Sequence, residues 1–141
     1  MPFSQDVKDT INNAWADGHP CLLVTIGKDG ANIGPKGSMV VYDDEHLAYW
    51  ERTKKKALEN LSFDNRVVVY YNNFPAQQAK KIASGFLKIA GTAELHQDGA
   101  IKDKIFSMLT KREQEHEGAD EGIGVLIKIG SAVNHRGASI I

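Results

Sequence analysis

The run Leu47-Ala48-Tyr49-Trp50-Glu51-Arg52-Thr53-Lys54-Lys55-Lys56-Ala57-Leu58-Glu59-Asn60-Leu61 decides how this chain is read. An apolar strand, Leu47 to Trp50, runs into a basic cluster, and the cluster opens a short helix that turns Leu58 and Leu61 inward. The first turn of a helix presents unpaired N–H groups and the positive end of the dipole. Acidic residues are favoured there, and lysines cost a few tenths of a kcal/mol. Here Lys54, Lys55 and Lys56 crowd that end, with Thr53 in the N-cap position. A bound anion would relieve the mismatch, because N–H groups, a hydroxyl and ammonium groups converge on one point; a phosphate fits that description. The plainer alternative is a solvated basic face, partly offset by Glu51 and Glu59.

Working outward, the 141 residues form a single-domain length, 1–141, sufficient for a core without disulfides. Seventeen Lys and Arg against 18 Asp and Glu leave a net charge of −1, so anion binding has to come from local clustering and a nucleic-acid partner is not expected. The longest apolar runs, such as Cys21 to Val24 and Val67 to Tyr71, are strand-sized, so no membrane span is expected. The polar start at Ser4-Gln5-Asp6 does not read as a secretion signal. Cys21 is the single cysteine, which makes a cytoplasmic location the expectation.

Period-two patterning dominates the rest. Ser4 caps a helix with Val7, Ile11, Ala14 and Trp15 on one side, ending near Gly18 as a flanking element. Strands are expected at Cys21–Ile26 with both faces covered, at Ala31–Gly34 breaking at Pro35, at Met39–Tyr42, and at His46–Trp50. Further strands follow at Arg66–Tyr71, Gly85–His96 and Gly124–Ile129. Gly27-Lys28-Asp29-Gly30 closes the first hairpin. Asn72–Ser84 reads as a long polar connection, Asp98 as the cap of a helix carrying Ile101, Ile105, Met108 and Leu109, and Lys111–Glu121 as solvated. Asn134-His135-Arg136-Gly137 is a turn able to lead back toward a site. Many strands and three short helices point to an antiparallel barrel with peripheral helices.

Taken in order, Pro35-Lys36-Gly37-Ser38, Asp43-Asp44, Arg52-Thr53, Lys56-Ala57-Leu58-Glu59-Asn60-Leu61, Asn65-Arg66-Val67-Val68-Val69, Gly85 to Glu94 and Asp98-Gly99 resemble the flavin mononucleotide (FMN)-binding split barrels, the superfamily of the pyridoxamine 5'-phosphate oxidases and small bacterial FMN-binding proteins. The resemblance runs from about Val7 to Ile129. It implies a mainly β fold, a six-stranded antiparallel Greek-key split barrel with short peripheral helices. It also implies a homodimer with FMN in clefts at the subunit interface. By that similarity Lys36, Gly37 and Ser38 lie against the flavin or ribityl chain, Arg52, Thr53, Lys55 and Lys56 hold the phosphate, and Glu51 is counted among the cofactor-binding residues. Phe86, with the connection before it, approaches from the other subunit. Ala57 stands where many members carry Thr or Ser. The chain also lacks the arginine- and histidine-bearing extension of the true oxidases, so pyridoxamine phosphate oxidase activity is not carried over.

A flavin performs its own electron chemistry, so the protein has only to hold and tune it. The expectation is a small flavin-dependent oxidoreductase or electron-transfer protein. A barrel using deazaflavin or haem, and a redox-inactive dimer binding a phosphorylated metabolite, are the alternatives. Lys36 would place positive charge near the pyrimidine end of the ring, and Trp50 or Tyr70 would stack nearby or belong to the core. Cys21 reads as an inert buried thiol. The five histidines lack paired metal-ligand spacing, and the acidic residues from Glu113 to Glu121 read as a solvated loop.

Overall fold

The computed structural model describes residues 3–52 and 56–141. Helix α1 (Gln5–Asn12) is followed by strands β1 (Cys21–Gly27), β2 (Gly30–Lys36), β3 (Val40–Asp43) and β4 (His46–Glu51). Helix α2 (Lys56–Phe63), β5 (Arg66–Asn72), α3 (Phe74–Gln78) and β6 (Phe86–His96) come next. Helices α4 (Ala100–Met108) and α5 (Lys111–Gln114), a 3-10 turn (Ala119–Glu121) and β7 (Ile123–Asn134) complete the chain.

The strands form one antiparallel sheet in the order β2-β1-β5-β6-β7-β4-β3. It has seven strands among the described residues, where six were expected. Six is the number implied by the family resemblance; the residue patterning places a strand at each of the seven, and β2 differs from it in length, since it does not break at Pro35 but runs through it, pairing Leu22 with Pro35 and Cys21 with Lys36. Proline is tolerated there because β2 is a sheet edge and its missing N–H faces no neighbour.

One face of the sheet curls around a single core. Cys21 and Leu23 of β1, Val69 of β5, Ile89 of β6, Ile127 of β7 and Leu47 of β4 are all buried in the same cluster. Alternation along each strand delivers them, so one residue in two points inward. In β1 the other face, with Leu22, Val24 and Ile26, is only half-buried, not fully covered as expected. The β6–β7 ladder carries a bulge: Ala90 pairs with Ser131 and Gly91 with Ile129, leaving Gly130 extra and bending the two longest strands.

Four local readings are corrected. Helix α1 stops at Asn12, and Trp15 lies in the following turn at 48% exposure. The helix is no mere flank: Ile11 and Ala14 just beyond it enter the core. The cap position of α4 is Gly99 at φ 95°, not Asp98, and no side chain caps it. The charged stretch after α4 is not simply solvated, because it holds α5 and buries Ala119, whose carbonyl accepts the Trp50 indole N–H at 2.7 Å. The connection after β5 contains α3, capped by the Asn73 side chain.

Helix α2 is seated by a buried polar pair. Asn60 Nδ2 donates to Thr25 Oγ1 at 3.0 Å, with both residues inaccessible. Gly27 permits the approach: a Cβ there would lie 2.2 Å from Asn60 Oδ1. This contact fixes where the amino end of α2, and so Lys56, sits relative to the β1–β2 hairpin.

Candidate functional site

Strand β4 organises the site through its two faces. Ala48 and Trp50 point outward into a small second cluster with Ile105 of α4 and Leu109 just after it. Trp50 packs on Phe106 at 5.2 Å, so this tryptophan is core. On the inward face Leu47 and Tyr49 are core residues, and Glu51 continues that face at the strand's end.

Glu51 is 3% exposed and accepts a hydrogen bond from Lys36 Nζ at 2.9 Å. The same ammonium lies 5.3 Å from the centre of the Tyr49 ring. A pair this buried suffers desolvation on both sides, and the attraction repays it only while both partners stay in place. The Tyr49 hydroxyl is fully buried and has no hydrogen-bond partner among the described residues. Burial, and then the nearby Glu51 charge, push its ionisation well above the ordinary phenol range, so it stays protonated.

The loop after β2 is fastened to the same strand. Ser38 Oγ accepts the Trp50 N–H at 2.9 Å and donates to the Trp50 carbonyl at 3.3 Å. Its hydroxyl is therefore occupied in holding the loop to β4. Gly37 backs onto Trp15, and a Cβ at this position would lie 2.9 Å from the indole Cε3. Lys36 thus turns toward Tyr49 and Glu51 while Gly37 presses on the α1 side.

Beyond Glu51 the cations are held differently. Arg52 Nε lies 3.7 Å from Glu113 Oε2, and Lys56 Nζ lies 3.7 Å from Asp29 Oδ2. Both separations exceed hydrogen-bond length, and the Lys56 side chain is 47% exposed. Their N–H groups retain the capacity to bind an oxyanion. Lys56 is the first residue of the eight-residue α2, beside the opening-turn N–H groups, which have no partner within the helix itself. Thr53 and Lys55, also expected at the phosphate, lie outside the described residues.

Lys36, Gly37, Ser38, Glu51 and Arg52 thus gather at one corner, with Lys56 leading into α2. Phe86 does not join them within the chain. It begins β6, opposite Asn72, and meets Tyr70 edge to face at 5.2 Å. Glu51 pairs with Ile123 at one end of β7, whereas Leu87, next to Phe86, pairs with Asn134 at the other. The intervening ladder spans roughly 30 Å at strand rise. Phe86 instead belongs to an apolar outer face with Leu22, Val24, Val68 and Tyr70, which extends to Ile33 at 60% exposure.

Sequence reasoning missed Tyr49 and the partners of the cations, Glu113 and Asp29. A signal for the first was present. Glu51 falls in phase with Leu47 and Tyr49, and a carboxylate on a core face needs a cation. Nothing local marks Glu113, which comes from 61 positions further on through the fold of α4 and α5. Cys21 is buried, and burial pushes its thiol up to about 12, so it is inert.

The curled antiparallel sheet is shared with solved split barrels related to pyridoxamine phosphate oxidase. HupZ of Group A Streptococcus superposes with a TM-score of 0.72 at 24% identity, covering 98% of each chain. A candidate pyridoxamine 5'-phosphate oxidase from Lactobacillus delbrueckii matches at 26% identity over 94% of this chain and 98% of its own, TM-score 0.65. An FMN-binding protein from Syntrophomonas wolfei shares the fold at 14% identity, TM-score 0.64, over 93% of this chain and 87% of that one. No curated protein matches the chain. The family model for pyridoxamine 5'-phosphate oxidase matches residues 7–126, and the chain belongs to that family.

Proposed function

We propose that the protein binds FMN as a homodimer and works as a small flavin-dependent oxidoreductase or electron carrier. The observation that carries this reading is the pair of loosely held cations, Arg52 and Lys56, at the amino end of α2. Arg52 and Lys56, on either side of the segment that opens α2 and each only loosely paired at 3.7 Å, would supply the donors for an anion at the start of that helix. The donor set fits a phosphate. The buried Lys36–Glu51 pair does not compete for it, because the Lys36 ammonium is already held at 2.9 Å. Lys36 would contribute a fixed positive charge near the ring, and the hydrogen-bonded Ser38 would hold its loop rigid.

When bound, the flavin would supply hydride and single-electron transfer. The chain's part is to clamp the phosphate with Arg52 and Lys56 and to present the rigid Lys36 to Ser38 loop. A second copy supplies the rest: an outer apolar face centred on Tyr70 and Phe86 is suited to self-association, and it would bring Phe86 to the partner's corner. The cofactor is distinguishable from deazaflavin or haem by the absorption spectrum of the purified protein. Titration with FMN, followed by quenching of flavin fluorescence, should saturate at one flavin per chain. A colourless protein that leaves added FMN fluorescence unchanged overturns the proposal, and sedimentation as a monomer overturns its dimeric part.

A further inference from the structure

A cavity of about 310 Å³ lies between the turn after α1, the Gly37–Ser38 loop and the α4–α5 junction. Met39, Met108 and Leu109 give it apolar walls, and Trp15 forms another. Nearly half of this indole is exposed, although it is among the largest apolar side chains in the protein. Arg112 sits at its edge, with the guanidinium 5.8 Å from the centre of the Trp15 ring system. Of the neighbouring charges, Glu113 also lines the cavity but is paired with Arg52 at 3.7 Å, and Lys111 pairs with Glu115 at 3.8 Å. No carboxylate among the described residues lies within ion-pair distance of Arg112.

An exposed flat ring, thioether and leucine walls, and one uncommitted guanidinium at the rim define a complementary ligand. We propose that this cavity binds a small aromatic acid. Its ring would lie against Trp15 and its single anionic group on Arg112. The volume is at the lower end of small-molecule sites, which limits the ligand to one ring or a compact bicycle. Arg provides a planar fork that suits a carboxylate or sulfonate, and it tolerates stacking beside an aromatic face. Methionine walls adapt to the edge of such a ring.

The site has a route to the corner described above. Trp15 is in contact with the backbone of Gly37, so a ligand that fixes the indole also stiffens the loop carrying Lys36 and Ser38. Any such coupling is reciprocal: a molecule bound at the corner changes affinity at Trp15 by the same factor. The binding claim itself requires no flavin.

The test uses 4-nitrobenzoate as probe and 4-nitrobenzamide as its neutral counterpart, followed through the indole N–H signals in a proton–nitrogen correlation spectrum. The chain has two tryptophans, and Trp50, with its N–H on the Ala119 carbonyl, is the internal reference. The Trp15 signal should shift saturably with the acid while the Trp50 signal stays in place. Arg112→Gln should weaken the acid about tenfold, the loss of one charge-assisted contact, and leave the amide unchanged. Trp15→Leu should abolish saturable binding, measured for that variant by equilibrium dialysis. A Trp15 signal unmoved at millimolar acid overturns the site, as does equal movement of both indoles. Equal affinity for acid and amide overturns the role of Arg112. Because these readings involve no FMN, they remain decisive even if the flavin reading fails.

Discussion

Lys36 and Lys56 carry the same ammonium group at opposite ends of β2, Lys36 as its last residue and Lys56 beside Asp29 just before its first, and the fold treats them in opposite ways. Lys36 is mostly covered, with 17% of its side chain exposed, and bonded to the buried Glu51 at 2.9 Å, whereas Lys56 stands half in solvent, 3.7 Å from Asp29. A buried charge must have its partner, so Lys36 belongs to the architecture first and can act on a ligand only as a fixed field. An exposed cation with a long, screened ion pair contributes little to stability and is free to exchange partners. The difference teaches which lysine holds the barrel mouth together and which is available to an anion.

The contrast is most easily broken at Glu51. Glu51→Gln should cost about 3–5 kcal/mol of folding stability, because it strands the Lys36 ammonium inside the barrel mouth. Chemical denaturation would show it. The double variant Lys36→Met, Glu51→Leu should recover most of that loss, and a double variant as unstable as the single one would refute the pairing argument.

The second test concerns the exposed partner. Lys56→Glu should weaken FMN binding about tenfold or more while shifting stability by less than about 0.5 kcal/mol. Lys8→Glu, on α1 and paired with Asp44 at 3.6 Å, should leave FMN binding unchanged. Added salt should weaken binding in the wild type and flatten the difference between these variants, since exposed charges are screened over about 8–10 Å.

A smaller effect is expected from Tyr49→Phe. The hydroxyl has no partner among the described residues, so its removal should leave the ligand-free protein within about 1 kcal/mol of wild type, or raise its stability. Flavin affinity that falls with this change, while stability does not, would place the hydroxyl against the bound molecule.

The smallest expected signal is chemical. Cys21 should resist a thiol reagent at pH 8 to 9 in the folded protein and react once denatured. Its raised pKa has a linkage consequence. The folded thiol keeps its proton up to about 12, whereas an unfolded one loses it near 9.0. Stability from this group is complete below the unfolded value and is lost as pH rises between the two, so alkaline unfolding should shift slightly upward in Cys21→Ala.

Much of this was legible beforehand where a residue's role depends on its neighbours in sequence. The alternation of Leu87, Ile89 and Ala93 identified the inward face of β6, and the β1–β2 turn followed from Gly27 to Gly30. Pro35 misled because its meaning depends on sheet position: it would break a central strand, but β2 is an edge. Trp15 misled because helical spacing continued past Asn12 although the helix did not. Lys36, Glu51, Arg52 and Lys56 were all named as cofactor-binding, Lys36 against the flavin and Arg52 and Lys56 at its phosphate. Their division into a buried pair and two exposed cations was not visible.

Composition, strand period and the order of motifs thus determined a β barrel with short helices and a basic strand-to-helix junction, since those properties are written in spacing a few residues long. Tertiary structure alone decided which cation is neutralised, that Ser38 is spent on the Trp50 backbone, and that Phe86 sits at the far end of the ladder from Glu51. The physical reason is range. Local pattern sets which face a side chain takes, but burial, charge partners and distance depend on segments that meet only after the sheet has curled.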